Sequence, residues 1–161
     1  DGRVSVMVSP AFIQNHSQLA SVDDVFNAIL VRGDAIGDVV FYGKGAGKMP
    51  TASAVVADVI DCARHMERKK FFGWQDSEEG YVAAFEESVS SVYIRATTED
   101  AAAALARING LFGAVKMLTR DNAPDGEIAF TTDMLSEKEL ADKLAQITEA
   151  KVESVIRITD Y

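Results

Sequence analysis

A glycine-rich loop between a strand-like run and a helical run constrains the fold of this chain more than any other feature. The loop Gly43–Lys48 lies within the stretch FYGKGAGKMPTASAVVADVIDCA, and Pro50 follows it. Proline is favoured in the first turn of a helix, because the backbone N–H that it lacks has no helical partner there. The apolar residues that follow recur with a helical period: Ala52, Val55, Val56, Val59 and Ala63. The pattern predicts a strand, a tight turn and a helix that begins at Pro50 and ends near Arg68.

The loop itself has two interpretations. A glycine turn before a helix presents free backbone N–H groups and the positive end of a helix dipole, which suits an anion such as phosphate. Neither of two common phosphate motifs is complete, however. The P-loop motif fails because three residues, and not four, separate Gly43 from Gly47, and because Met49 follows Lys48. The Gly-x-Gly-x-x-Gly motif fails because Lys48 or Pro50 stands at its last position. The alternative is a turn that needs glycine only for its backbone angles, with Lys44 and Lys48 as solvated charges.

A longer pattern surrounds the loop. The run Phe26–Asp61 contains Asn-Ala, then Gly-Asp-x-x-Gly, then Tyr-Gly-x-Gly-Ala-Gly-x-x-Pro-Thr-Ala-Ser-Ala-Val-x-x-Asp. This order of motifs closely resembles, without a gap, the closing part of the substrate domain of homoserine dehydrogenases. In that family the Gly-Ala-Gly turn lies against the nicotinamide coenzyme. The resemblance therefore implies contacts with NADP or NAD at Gly45, Ala46 and Gly47.

The resemblance implies no catalytic residue here. A dehydrogenase needs a dinucleotide-binding domain and a proton-transfer residue near the substrate carbonyl. The family's lysine and acidic substrate residues, and its cation-binding loop, belong to a segment that would precede Asp1. We therefore predict no catalytic and no metal-binding residue in this chain. Because the chain begins without methionine in a strand pattern, we expect it to be a piece of a longer protein.

The second half of the chain predicts a βαββαβ order, which is ferredoxin-like. The turn Pro124-Asp125-Gly126 separates the two central strands. Ser136 with Glu139 forms a capping box for the second helix. The predicted inward positions are Val92, Ile94, Ala96, Ala104, Leu105, Ile108, Phe112, Leu140, Leu144 and Ile147. The predicted elements are Val89–Ala96, Glu99–Gly113, Val115–Thr119, Glu127–Met134, a helix after Ser136 and Val152–Thr159.

This half resembles the ACT regulatory domains that follow the catalytic part of many homoserine dehydrogenases. The resemblance is carried by Tyr93-Ile94-Arg95, Glu99-Asp100, Leu105–Ile108, Leu111–Gly113 and Val155–Ile158. An amino-acid effector is therefore a candidate partner. In ACT domains a Pro-Gly pair shapes the effector site at the first strand–helix turn. Here Ala102 and Ala103 replace it, so we expect the helix to start without that turn and effector binding to be weak or lost.

The expected fold class is α+β, with a homoserine dehydrogenase-like first part and an ACT-like second part. The predicted divisions are residues 1–70 for the end of the substrate domain, 71–87 for a linker with several aromatic residues, and 88–161 for the ACT-like domain. In the first part we predict a strand over Asp1–Ile13 that Pro10 ends. A β-hairpin follows, formed by Val25–Arg32 and Asp38–Gly43, and it leads into the glycine loop.

Four side chains in the first part have individual interpretations. Asn27 lies within an apolar strand, so we expect a buried hydrogen-bonding role. Cys62 lies within an apolar helix, so we expect a small buried residue. We interpret His16 as a surface-loop residue. We interpret His65 as one of several solvated cations at the end of the helix rather than a ligand, because no carboxylate and histidine share a metal-ligand spacing with it.

Composition limits the function classes. The formal net charge of −9 argues against nucleic-acid binding, which selects basic surfaces. A single cysteine suits a reducing compartment, and no apolar run approaches the ~20 residues of a membrane helix. We expect a cytoplasmic protein that binds neither nucleic acid nor a membrane.

The sequence therefore predicts part of an NAD(P)-dependent homoserine dehydrogenase, an oxidoreductase that interconverts homoserine and aspartate 4-semialdehyde in threonine, methionine and isoleucine biosynthesis. We expect the piece itself to be inactive and to form a homo-oligomer, because the family's first-half strands contribute to a dimer and ACT domains commonly pair. The alternative is a free-standing ACT-type module that binds an amino acid or serves assembly without catalysis.

Overall fold

The computed structural model describes residues 2–68 and 73–160, and it divides into two compact units. We call residues 14–68 with 73–76 the hairpin–helix unit, and residues 2–13 with 77–160 the sheet unit. The predicted coarse class, a mixed α/β protein, is confirmed. The predicted linker aromatics Phe71 and Phe72 lie outside the described residues.

The hairpin–helix unit contains the predicted hairpin. Strands β2 (Phe26–Gly33) and β3 (Gly37–Lys44) pair antiparallel in a continuous register that starts with Phe26 opposite Lys44. Gly37, the first residue of β3 after the turn, has φ 68°, which glycine adopts easily. A short 3-10 turn, Gln18–Ser21, precedes the hairpin and is capped by Ser17. The hairpin therefore delivers the chain to the glycine loop as predicted.

Helix α1 (Lys48–Arg64) follows the loop directly. Gly47 is its N-cap and His65 its C-cap, so the helix begins two residues before Pro50 and ends four residues before Arg68. Proline remains compatible with this position, because the third helical residue still lies in the turn whose N–H groups lack helical acceptors. The predicted boundaries were wrong at both ends, but the helix itself is confirmed.

The hairpin–helix unit contains no fully buried residue among those described. Cys62 is exposed, so its predicted burial was wrong. The apolar stripe of α1 is exposed too; Val59 is 62% accessible. Asn27 is exposed on β2, so its predicted burial was also wrong. Sequence periodicity identifies an apolar face, but not whether this same stretch of chain covers it.

The histidine predictions had different outcomes. His16 is exposed in a loop, as predicted. His65 is half-buried at the end of α1, and its Nδ1 lies 3.0 Å from Oδ1 of Asp61. Asp61 is thus a carboxylate one helical turn before His65, and within the described residues no group of three or more potential metal ligands includes this pair.

The sheet unit has a five-strand path with order β1-β8-β4-β6-β5. Strand β1 pairs parallel with β8, and the other pairs on the path are antiparallel. A two-residue strand, β7, pairs with the start of β4. The strands are β1 (Ala11–Phe12), β4 (Val89–Thr97), β5 (Lys116–Leu118), β6 (Glu127–Thr131), β7 (Leu135–Ser136) and β8 (Lys151–Ile158). The helices are α2 (Ala101–Phe112) and α3 (Glu137–Leu144).

One face of this sheet packs against the helices and forms the core. Val92, Ile94 and Ala96 alternate along β4 and are at most 1% exposed, because successive strand residues point to opposite faces. Ile108 of α2 and Phe130 of β6 complete the fully buried centre. The predicted inward positions on β4 are confirmed, and so are Ala104, Ile108 and Leu140 on the helices.

Both helices of the sheet unit begin at side-chain caps. Oδ1 of Asp100 accepts hydrogen bonds from the backbone N–H groups of Ala102 and Ala103, at 3.1 and 3.0 Å. Oγ of Ser136 accepts one from the N–H of Glu139 at 3.2 Å, as the predicted cap requires. Such caps satisfy N–H groups that have no helical acceptor.

The predicted strand Asp1–Ile13 was largely wrong. Only Ala11–Phe12 pairs with a neighbouring strand, and these residues follow Pro10 rather than precede it. Val4 makes a single parallel bridge with Val82, and Val8 is fully exposed. In the structure this segment also belongs to the sheet unit, whereas the sequence placed it with the hairpin and helix. The alternation of valines is typical of a strand, but a strand forms only where a neighbour supplies its hydrogen bonds.

Candidate functional site

The candidate site is the exposed turn Gly45–Gly47 between β3 and α1. Gly47 has φ 114° and ψ 153°, a conformation that disfavours any residue with a Cβ. As the N-cap it has no side chain to bond the helix N–H groups. The turn therefore combines a glycine-dependent backbone with an uncapped helix start.

Two contacts hold the turn against the hairpin. The backbone N–H of Ala46 donates to the carbonyl of Val25 at 3.5 Å, which ties the turn to the residue before β2. The side chain of Asn27 lies against Gly45, so closely that a Cβ on Gly45 would lie 2.6 Å from Cγ of Asn27. A side chain at position 45 would therefore displace the exposed amide of Asn27, while position 47 favours glycine because of its φ.

The start of α1 offers backbone donors to solvent. The first helical bond runs from the N–H of Thr51 to the carbonyl of Gly47, at 3.2 Å. Pro50 has no N–H, so the N–H groups of Lys48 and Met49 are the donors of the first turn that lack a helical acceptor. The helix dipole adds a positive potential at the same place. This arrangement can bind and orient an anionic or polar group of a ligand.

The two lysines of the loop differ in their surroundings. The ammonium of Lys44 lies 5.6 Å from the centroid of the Phe26 ring, and that ring stacks on Tyr42 with centroids 4.9 Å apart. Lys48 is exposed in the first turn of α1. Both therefore add positive charge beside the turn without closing it.

The chemistry of this turn is binding rather than bond-making. Gly45, Ala46 and Gly47 have no titratable side chain, so they can contribute contact and backbone donors only. Within residues 2–68 and 73–160, no group of three or more His, Cys, Asp or Glu side chains is arranged to hold a metal ion. In that same part of the chain, no helix is both long and apolar enough to cross a membrane.

Sequence reasoning missed the role of Asn27 in this site. The hairpin register pairs Asn27 with Gly43. Gly45, two residues after Gly43, therefore lies near Asn27. The predicted hairpin could have indicated this neighbourhood, but not which way the amide points. The three predicted turn residues do lie together, as adjacent residues must.

The first strand–helix turn of the sheet unit is the other place the sequence singled out. Asp100 occupies the N–H groups of Ala102 and Ala103, and the hydroxyl of Thr98 donates to the carbonyl of Glu149 at 2.7 Å. The concave surface here carries four carboxylates: Glu99, Asp100, Asp125 and Glu149. The turn continues directly into helix, as expected from the alanines.

The sequence of this chain is similar to those of homoserine dehydrogenases. The family model for homoserine dehydrogenase matches residues 2–60. The homoserine dehydrogenase of Neisseria gonorrhoeae is 33% identical over 158 residues, which cover 89% of this chain and 36% of that protein. That of Corynebacterium glutamicum is 32% identical over 171 residues, covering 96% of this chain and 37% of that protein.

A solved structure is similar to almost the whole of this chain. The homoserine dehydrogenase of Thiobacillus denitrificans superposes with a TM-score of 0.80 at 28% identity, covering 99% of this chain and 40% of that one. The chain thus spans just over a third of the length of the curated relatives described above. It is similar to the C-terminal part of these enzymes.

Proposed function

We propose that this chain is part of an enzyme that interconverts L-homoserine and L-aspartate 4-semialdehyde with NADP or NAD. The chain is related to the C-terminal part of homoserine dehydrogenases. The observation that carries the proposal is the glycine turn. The family's Gly-Ala-Gly motif occupies an exposed junction of strand and helix, with Gly47 in a backbone conformation that excludes most other residues. Such an enzyme belongs to threonine and methionine biosynthesis, and we assign it to the cytoplasm.

The role proposed for the turn is coenzyme contact. Gly45, Ala46 and Gly47 let the backbone approach the coenzyme closely, because no side chain other than one methyl group intervenes. The N–H groups of Lys48 and Met49 point out of the helix start, where a polar group of the coenzyme would find donors. The nicotinamide coenzyme supplies hydride transfer, and the turn supplies contact and orientation.

We assign the sheet unit to the ACT type. The order β8-β4-β6-β5 of four of its strands, with α2 and α3 packed on one face, supports this assignment. Effector binding at its first strand–helix turn is expected to be weak, because Asp100 already accepts the two N–H groups that a ligand carboxylate would need. The surrounding carboxylates would also repel that group.

Self-association is part of the proposal. The apolar face of α1 is exposed in the described chain, with Val55, Val56 and Val59 each more than half accessible. Exposed apolar patches of this kind mark surfaces that other parts of a protein or assembly cover. In the proposed enzyme, the rest of the polypeptide and a second subunit cover this face.

A chimera tests the proposal. This chain would replace the matching C-terminal part of the Thiobacillus denitrificans enzyme, and homoserine-dependent reduction of NAD⁺ and NADP⁺ would be followed. We expect the chimera to be active and the 161-residue chain alone to be inactive, because one loop cannot replace a dinucleotide site. A second chimera exchanging only residues 26–61 separates failure of the turn from failure of the sheet unit. Folded but inactive chimeras of both kinds, or activity of the chain alone, would contradict the proposal.

A further inference from the structure

The helix-free face of the sheet unit contains a cavity that the proposed dehydrogenase function does not use. Its volume is about 470 Å³. This lies within the range of about 300–1,000 Å³ that is typical of small-molecule sites. Residues of β4 and β6 that alternate with the core residues form its floor, among them Tyr93 and Ala129. The cavity is therefore separated from the helix-packed core by the thickness of the sheet.

Apolar side chains form most of the cavity. Phe12 of β1 packs edge-to-face on Tyr93 of β4, with ring centroids 5.3 Å apart and planes at 88°. Leu118, Ala129 and Ile158 complete the apolar lining. Ala129 is only 7% exposed although it lies on the face without helices. The short parallel strand β1 thus has a role in this region, because it places Phe12 beside the sheet.

Arginine and hydroxyl groups form the polar part. Arg120 donates through Nε and Nη2 to the two carboxylate oxygens of Glu127, at 2.7 and 2.8 Å. Arg95 donates to the same carboxylate at 3.3 Å. Glu127 is 5% exposed, so one nearly buried carboxylate faces two arginines and the cluster carries a net positive charge. Nη1 of Arg120 takes no part in these two bonds to Glu127, and Thr119 and Thr131 add hydroxyls to the lining.

We propose that this cavity binds a small monocarboxylate with an apolar body, such as a medium-chain or aryl-substituted carboxylic acid. The apolar wall receives the body, and Nη1 of Arg120 with the neighbouring hydroxyls receives the carboxylate. Arginine suits this role because its donors match a carboxylate in geometry and charge.

The lining also selects against related ligands. An α-amino acid would need an acceptor for its ammonium group, but the one carboxylate of the lining, Glu127, is already bonded to both arginines. Glu127 stays ionised in this environment, since the hydrogen bond from Arg120, with that from Arg95, lowers its pKa from 4.5 to about 2 against the effect of burial. A phosphate would leave the apolar wall uncovered. The cavity therefore differs from the acidic surface at Asp100, both in place and in charge.

Calorimetric titration of the whole chain with octanoate and with 3-phenylpropanoate tests the proposal. Octanol, octylamine and phenylalanine serve as comparison ligands. We expect saturable binding of both carboxylates, and affinities at least about tenfold weaker for all three comparison ligands, because a charge-assisted hydrogen bond is lost or an ammonium is left unpaired. Chemical-shift changes should concentrate at the methyl groups of Leu118, Ala129 and Ile158.

Two variants and two controls locate the site. Ala129→Leu fills the cavity and should abolish binding; Ala141→Leu, on an exposed position of α3, should not. Arg120→Gln removes the carboxylate partner at a half-exposed position and should weaken octanoate binding about tenfold while leaving octanol unchanged; Lys138→Gln is its charge control. If Ala129→Leu fails to fold, the effect of Arg120→Gln on octanoate binding still tests the proposal.

Three outcomes would overturn the proposal. The first is no saturable binding of either carboxylate. The second is equal affinity for octanol or phenylalanine. The third is sedimentation showing that the chain associates through this face, with Ala129→Leu dissociating the assembly and the carboxylates having no effect. That last result would assign the cavity to a second copy of the chain.

Discussion

The side chain of Asn27 on β2 lies against the backbone of Gly45 in the turn that follows β3. A Cβ built on Gly45 would come within 2.8 Å of Oδ1 of Asn27 and closer still to the rest of its amide. Real Cβ contacts are longer, so any residue other than glycine at position 45 requires Asn27 to turn away. This contact, and not the φ angle of Gly45, explains the glycine.

The first prediction is that a double-mutant cycle on Asn27 and Gly45 detects this contact. Gly45→Ala should destabilise the chain by about 1 kcal/mol, because Asn27 must leave its preferred rotamer. Asn27→Ala alone should change stability by no more than about 0.5 kcal/mol, as is usual for an exposed side chain. In the double variant the cost of Gly45→Ala should largely disappear. Urea denaturation measures all four proteins, and additive effects would show that the two residues are not coupled.

A second pair of glycines provides a matched comparison in the sheet unit. Gly126 has φ 78°, and a Cβ there would collide with the carbonyl oxygen of Thr98. Gly110 lies inside α2 with nothing within 4 Å of an added Cβ. We expect Gly126→Ala to destabilise the protein by about 2 kcal/mol and Gly110→Ala to stabilise it by about 0.5–1 kcal/mol. Thermal unfolding distinguishes the two signs, and equal effects would contradict the geometry at Gly126.

The third prediction concerns acid stability. Hydrogen bonds from Arg120 and Arg95 lower the pKa of Glu127 to about 2, so the folded protein keeps this carboxylate charged where the unfolded chain, at about 4.5, takes up a proton. Proton uptake by the unfolded state makes stability fall as the pH drops through that interval, and the contribution is fully present above it.

Glu127→Gln should therefore flatten the fall in melting temperature between pH 4.5 and about pH 2. The exposed Glu139→Gln is the control, and its profile should follow that of the parent chain. If the melting temperature of Glu127→Gln fell with pH as steeply as that of the parent chain, the two arginines would not form these ion pairs in solution.

The fourth prediction compares a covered ion pair with an open one. Arg157 makes two hydrogen bonds to Glu137, at 2.6 and 2.7 Å, and its guanidinium lies 5.4 Å from the centroid of the Phe85 ring. The two side chains are 16% and 8% exposed. Glu137→Ala leaves a mostly covered arginine without its anion and should cost about 3 kcal/mol.

The control for that variant is Glu87→Gln, which weakens the exposed pair with Arg3. Its cost should be much smaller than that of Glu137→Ala, because solvent screens exposed ion pairs. Urea denaturation in low and high salt measures both variants. Comparable losses in the two variants would contradict the difference in burial.

The sequence predicted those parts of the fold whose partners are local. Val92, Ile94 and Ala96 alternate on β4, and the strands and helices that cover them follow within the same stretch of chain. Ser136 caps its own first turn as predicted, and Asp100 caps the start of α2, the helix that was predicted to begin at Glu99. Elements of this kind are specified by nearby residues, so periodicity and capping chemistry suffice.

The predictions that failed concerned residues whose contacts are distant in the sequence or absent from the described chain. Val4, Val6 and Val8 have the pattern of a strand, but only Ala11–Phe12 finds a neighbour along β8. Cys62 lies on a helix with an apolar stripe, yet nothing in the described chain buries it. The cluster of Arg95, Arg120 and Glu127 joins residues from two strands and the connection between β5 and β6, and no motif in the sequence indicates that they meet.

In the proposed homoserine dehydrogenase, the Gly45–Gly47 turn contacts the coenzyme. The direct measurement is the coenzyme KM, with kcat and melting temperature, of Gly47→Val in an active enzyme or chimera that contains this chain. Gly37→Val is the matched control, because Gly37 also has positive φ, with nothing within 4 Å of an added Cβ, and lies at the opposite end of β3. We predict that Gly47→Val raises the coenzyme KM at least about tenfold, while Gly37→Val lowers the melting temperature as much and leaves that KM unchanged. Equal KM values in the two variants and the parent would contradict the claim and leave the turn as a purely structural connection.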